Sequence, residues 1–301
     1  MKRLTAFLLS NWAFYIPLGL FVLSVLWVAV SSIYPMAFDE EFHYGLIKIY
    51  ATSWLPYGIQ HTSDMAQFGA ATADPSYLFH YVMSFPYRLL AWFGLSDTTI
   101  IILLRLLNLG FVVSSLFVFR RAFLNAGVGK VIVNLGLWLF MLIPVFIMLA
   151  AQINYDNLLL LIVAWSVYLI VDMTNRVRKD GVLPLASVWL LAIAVLIGMS
   201  IKYAFLPIAL SLFIWSVGLV VVSFKRQKHS FRAFSTMVKK QLSSFSVPAL
   251  SGLIGLALLS IFFASHYVVN HATYGSAIPS CEQVFTEDEC TAYGPWNRNR
   301  A

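Results

Sequence analysis

Charge is scarce in this chain, and the scarcity excludes an ordinary soluble fold. Its 301 residues hold 13 Asp and Glu and 20 Lys and Arg, so 11% are charged and 60% are hydrophobic, far from the roughly 25% charged composition of a globular domain. Cysteine is nearly missing, with only Cys281 and Cys290, both in "CEQVFTEDEC". Nucleotide-binding signatures are missing as well. "NAGVGK" lacks the spacing of a phosphate-binding loop and no G-x-G-x-x-G occurs, so no nucleotide-binding domain is expected. Neither a fixed-period repeat nor the paired broken helices of many transporters stands out.

What is present is a series of long apolar runs. A membrane span needs about 20 mostly apolar residues, and seven windows qualify: 12–33, 98–119, 128–150, 157–171, 182–201, 204–224 and 247–270. The expectation is an all-α polytopic membrane protein of about seven transmembrane helices. Residues 1–271 form the membrane module and 272–301 an outer C-terminal segment. The start, "MKRLTAFLLSNW", looks like a signal-peptide n-region, but the apolar run is too long and no small-x-small site follows, so it reads as an uncleaved anchor.

The net charge of +7 reports topology rather than nucleic-acid binding. With Lys2 and Arg3 in the cytoplasm, Arg120, Arg121, Lys130, Arg176, Arg178, Lys179 and the basic residues of 225–240 fall on the same side, as the positive-inside rule requires. Eleven of the thirteen acids fall outside; Asp172 and Asp180 do not. The predicted location is the bacterial cytoplasmic membrane, with the N-terminus cytoplasmic and the C-terminus outside. There a Cys281–Cys290 disulfide is favoured. The basic stretch 224–240 also suits anionic lipid as an interfacial segment.

The first outer loop, 34–97, exceeds 60 residues, and loops of that length are usually functional. Residues 41–55 have helical spacing, with Phe42, Leu46 and Ile49 on one face and His43, Ile47, Tyr50 and Trp54 on another, which predicts a helix lying on the membrane surface. The apolar 77–94 contains His80, Pro86 and Arg88 and reads as interfacial or re-entrant. The stretch 58–76 between them reads as a loop.

Against this topology the run "FDEEF" raises a question, because a charge-poor chain puts Asp39, Glu40 and Glu41 where its first span ends. Acids at a helix N-terminus are stabilised by free N–H groups, and Asp156, before a Leu-rich run, has the same explanation. Two acids at outer helix ends also suit acid–base chemistry in one cavity. Arg105 lies inside an apolar run, where a guanidinium costs at least about 2.5 kcal/mol, so it must find a partner. Lys202, at a junction between spans, either snorkels or holds a phosphate. His266 and His271, five apart, miss the i, i+4 alignment of helical metal pairs. His43, His61 and His80 share the loop with several acids, which leaves a divalent ion open as a cofactor; no metal ligand is assigned.

These features resemble the membrane-embedded GT-C glycosyltransferases, in particular the protein O-mannosyltransferase and aminoarabinose-transferase-like branch. The residues that carry the resemblance are "FDEEFHYGLIKIYA", "PSYLFHYVMSFPYRLLAWFG", "RLLNLG", "NYDNLLLL" and "IKYAFLP". The resemblance implies a polyprenyl-phosphate sugar donor, a lipid, glycan or protein acceptor, and one inverting displacement. It implies Asp39 as catalytic base with Glu40 supporting it or, as in some branches, binding a metal, Asp156 on the acceptor side, and Arg105 and Lys202 steadying the lipid phosphate, with His43 and Tyr155 beside the substrate. Members of the family usually continue through several more spans, so the chain reads as a minimal module, a truncated frame or part of a split enzyme. Two other readings stay open: a transporter or flippase for a lipid or small solute, and a non-catalytic partner or fragment of a glycosylation complex.

Overall fold

The computed structural model describes residues 2–36, 39–57, 59, 61–226, 235, 236, 239 and 247–300. Most of the 224–240 segment proposed for lipid binding lies outside them. The described residues are helical or irregular, with no strand. Five helices are long and apolar enough to cross a membrane: α2 (Trp12–Ser31), α5 (Asp97–Asn125), α8 (Tyr155–Asp180), α10 (Leu206–Arg226, with the turn Tyr203–Phe205 before it) and α11 (Val247–Tyr274). Their outward faces are apolar too, with Trp27, Trp165, Phe213 and Ile261 exposed. Helices hydrophobic all round belong in a bilayer, and the protein is an α-helical membrane protein.

The other elements are α1 (Lys2–Leu9), α3 (Glu40–Tyr50), a 3-10 helix at Ser63–Thr72, α4 (Leu78–Trp92), α6 (Lys130–Met141), α7 (Pro144–Ala150), α9 (Leu185–Ile201) and three short C-terminal helices, Cys281–Val284, Glu287–Cys290 and Gly294–Arg300. Several sequence expectations change here. The 128–150 window is two helices bent by 75°. Pro144 lacks an N–H, and a residue before proline avoids helical angles, so Ile143 is extended (φ −69°, ψ 116°) and the helix restarts. The 182–201 window yields only 17 helical residues after Pro184. The 157–171 window underestimates α8, which runs 26 residues through its polar end. There Arg176 Nε donates to Asp172 Oδ2 at 2.9 Å, an i, i+4 pair that supports the last turns. Gly181, at φ 68°, ends the helix and donates to Val177 O at 3.1 Å, a left-handed cap that suits glycine.

The 34–97 segment is more ordered and more enclosed than its sequence suggests. Helix α3 stops at Tyr50 and buries Glu40, His43, Tyr44, Leu46, Ile47, Ile49 and Tyr50, so it is not a helix with one open face on the membrane surface. Arg88, on α4, closes its C-terminal end by donating to the carbonyls of Tyr50 (2.6 Å), Ala51 (3.1 Å) and Ser53. The expected 58–76 loop contains the 3-10 helix, kinked at Gly69.

Two ends of the bundle can be told apart by their contacts. At one end Arg120 reaches Asn11, Asn175 donates to Asn125 O and Arg226 donates to Val177 O. At the other end the tip of α2 meets the starts of α3 and α8, joined through one buried ion pair.

Candidate functional site

Glu40 and Arg105 form the framework of that second end. Arg105 Nε and Nη2 donate to Glu40 Oε1 and Oε2, each at 2.7 Å, and Nη1 donates to Ala29 O (2.9 Å) and Ser32 O (3.1 Å). Glu40 also accepts from Met36 N (2.8 Å) and Ile153 N (3.2 Å). Side-chain exposures of 1% for Arg105 and 0% for Glu40 leave neither group facing a cavity. Glu40 and Arg105 hold the ends of α2, α3 and the α7–α8 junction together. Beside them Asn108 Oδ1 accepts from Asn154 N (3.3 Å) and Asn157 Nδ2 (3.2 Å), and Asn154 Oδ1 accepts from Asp156 N at 2.8 Å as the cap of α8.

This framework sets Asp39 on the wall of a cavity of about 830 Å³. Asp39 is exposed, precedes α3 and makes no capping bond with its side chain. Its backbone is left-handed (φ 62°, ψ 22°), a conformation uncommon outside glycine and enriched in Asp and Asn, of the kind that clusters at functional sites. Across the chain, Lys202 faces the same cavity. Its Nζ donates to Asp156 Oδ1 (2.9 Å) and Oδ2 (3.2 Å) and lies 4.3 Å from the centre of the Tyr155 ring. Gly198 makes this placement work: a Cβ there would come within 2.7 Å of the Phe205 ring. The chain can thus fold back after Ile201, leaving Lys202 extended (φ −160°) between α9 and the next turn.

His43 lies behind the wall rather than on it. Its Nδ1 is 2.9 Å from His80 Nε2, its ring meets the Tyr155 ring edge-on at 4.5 Å, and His80 is the member that lines the cavity. Burial, with Lys202 adding to it, pushes His43 down to about 3, and burial with His43 beside it also lowers His80. One neutral ring donates to the other. The folded pair binds fewer protons than the unfolded chain below the ordinary histidine value, so stability should fall as pH drops from about 6.5 toward about 3. The slope per histidine is at most about 1.4 kcal/mol per pH unit. Thermal unfolding in mild detergent from pH 7.5 to pH 4 checks this: the fall should flatten in His43→Phe/His80→Phe, and an unchanged slope would refute the assignment.

The C-terminal segment supplies the far wall through Tyr293, Trp296 and Arg298. Cys281 and Cys290 are disulfide-bonded and pack with Phe285 against Ala66 of the 3-10 helix. Gly69, at φ 57°, lets the Tyr293 ring sit where a Cβ would be 2.5 Å away. Closing a loop with a sequence separation of 9 contributes about 2–3 kcal/mol locally. Cys281→Ser/Cys290→Ser should therefore speed proteolysis within 275–300 several-fold while the main melting transition stays within a few degrees. Limited proteolysis read by mass spectrometry would decide it; equal cleavage rates would contradict the proposed local role.

Of the residues proposed from the sequence, the cavity wall brings together Asp39, Tyr155 and Lys202, with Asp156 paired behind Lys202. Sequence reasoning missed Asp74, Tyr203, Tyr293 and Arg298, which also line it. Asp74 sits in "TADPS", where the Asp-Pro pair reads as turn chemistry alone, and Arg298 lies more than 250 residues from Asp39. Among the described residues no three His, Cys, Asp or Glu side chains are grouped to hold a metal. No protein-family model, curated protein or solved structure matches the chain.

Proposed function

We propose that this protein is a membrane glycosyltransferase that moves a sugar from a polyprenyl-phosphate donor to the hydroxyl of a lipid, glycan or protein acceptor at the outer face of a bacterial cytoplasmic membrane. The observation that carries this reading is the meeting of an uncapped Asp39 and Lys202 on one cavity at the ends of apolar helices. In a single displacement Asp39 takes the proton of the acceptor hydroxyl while that oxygen attacks the anomeric carbon. The carbon–oxygen bond to the phosphate breaks with inversion, and the phosphate leaves with the electron pair. Lys202 and Arg298 would offset the charge that develops on it. Helices on either side of the site suit an isoprenoid tail.

The reading takes seven crossings: the five long helices, bent α6–α7 as one and the 17-residue α9 as another. The clustering of Arg120 and Arg226 at the end away from the cavity supports placing that end, and the N-terminus, in the cytoplasm. The test uses purified protein in lipid nanodiscs with a panel of polyprenyl-phosphate sugars and acceptors, following free polyprenyl phosphate and glycosylated acceptor by mass spectrometry. Release of both in equal amounts is the expected result. Absence of release with every donor, or movement of the donor across the bilayer without cleavage, would refute the reading, and the second outcome would make the protein a transporter.

A further inference from the structure

The displacement uses Asp39, Lys202 and Arg298, and leaves one carboxylate on the cavity wall without a role. Asp74 is held by its own turn, since Ser76 N donates to its Oδ1 at 2.7 Å and Pro75 fixes the backbone between them. That bond occupies one carboxylate oxygen and aims the group. Two phenols share the cavity wall with it, those of Tyr203 and Tyr293.

We infer that Asp74, with Tyr203 and Tyr293, is the subsite that recognises the sugar, the carboxylate accepting hydrogen bonds from pyranose hydroxyls while the aromatic rings cover the C–H face. The inference rests on the glycosyltransferase reading and deepens it by assigning sugar specificity to a residue apart from the base. Three physical points favour hydroxyls over other ligands. A carboxylate only accepts when ionised, and phenols both donate and accept, so the mixed rim matches hydroxyls, which do both. An ammonium ion only donates and would leave the phenol O–H groups without an acceptor from the ligand. A divalent cation needs six or more oxygen ligands in the case of Ca²⁺, and no group of three metal-binding side chains occurs among the described residues. Burial, opposed by the Ser76 bonds, raises the Asp74 carboxyl; this low-dielectric setting strengthens the bonds it makes.

A hydrogen bond to a charged group is worth about 10- to 100-fold in affinity, and this sets the size of the test. Asp74→Asn keeps an oxygen to accept from Ser76 N and so keeps the turn. Full-length protein in nanodiscs is titrated with three short-chain probes, citronellyl phosphate, citronellyl-phosphate hexose and its singly deoxygenated analogues. A parallel series uses octyl hexosides and octyl deoxyhexosides, which carry no phosphate. Wild type should bind one hexose at least tenfold more tightly than one of its deoxy analogues, in both series. Asp74→Asn should erase that difference and leave citronellyl phosphate binding within twofold.

Equal affinity of wild type for hexose and every deoxy analogue, or an Asp74→Asn loss that is the same for hexose and deoxy probes, overturns the subsite. Preference for an amino sugar that vanishes in Asp74→Asn overturns the hydroxyl assignment in favour of a cation. If the octyl series shows the Asp74-dependent difference while no phosphate probe binds, the subsite stands and the polyprenyl-phosphate reading falls.

Discussion

Arg105→Ala should cost about 3–5 kcal/mol of stability, the usual loss when one member of a buried ion pair is removed, and most of the folded protein with it. The truncation strands the Glu40 carboxylate at 0% exposure and frees the carbonyls of Ala29 and Ser32. Glu40→Ala should be similar, because it leaves a guanidinium in the interior and the Met36 and Ile153 N–H groups without acceptors. A buried pair can often be replaced by apolar residues at little loss, but this one also serves four backbone groups. Glu40→Leu/Arg105→Met should therefore remain markedly destabilised. Thermal unfolding in mild detergent across the double-mutant cycle gives the coupling. If Arg105→Ala melted like wild type and lost only donor binding, Arg105 would return to the phosphate-binding role that the resemblance implies.

Asp39→Asn should do the opposite, removing turnover and sparing the fold. General acid–base catalysis by a positioned side chain contributes about 10²–10⁴-fold, and a drop of that size in polyprenyl phosphate release is expected. Stability should change by less than about 0.5 kcal/mol, the usual range for an exposed site, since Asp39 makes no capping bond and Asn tolerates the left-handed backbone as well as Asp does. The comparison is made at matched folded yield, with donor binding measured alongside. Loss of kcat with donor affinity retained marks the base; unchanged turnover would leave Asp39 as the residue before a helix and nothing more.

The contrast between adjacent residues explains why the site was only partly readable. Asp39 and Glu40 look equivalent in "FDEEF", and both carry the same helix-start argument. Glu40, the first residue of α3, turns toward Arg105 in the interior, while Asp39, left-handed and outside the helix, stays on the cavity wall. The need of Arg105 for a partner was evident from its apolar surroundings; which acid met that need depended on how α5 packs against the α2–α3 junction. Lys202 had two sequence explanations, snorkelling or holding an anion, and its pairing with Asp156 combines a partner with a place at the cavity. His43 drew notice from its position on α3, yet the ring of the pair that lines the cavity belongs to His80.

Helical membrane character and the disulfide were both determined by local quantities: apolar run length, and cysteine number and position. The bend at Pro144 was equally local, although its angle was not. The cavity is different. Its wall joins Asp39, Asp74, Lys202 and Arg298 across more than 250 residues of chain, and no periodicity links them. Only tertiary packing brings them together, because a polar wall inside an apolar bundle forms where helix ends and a disulfide-closed segment meet, and each of those ends is positioned by its neighbours rather than by its own sequence.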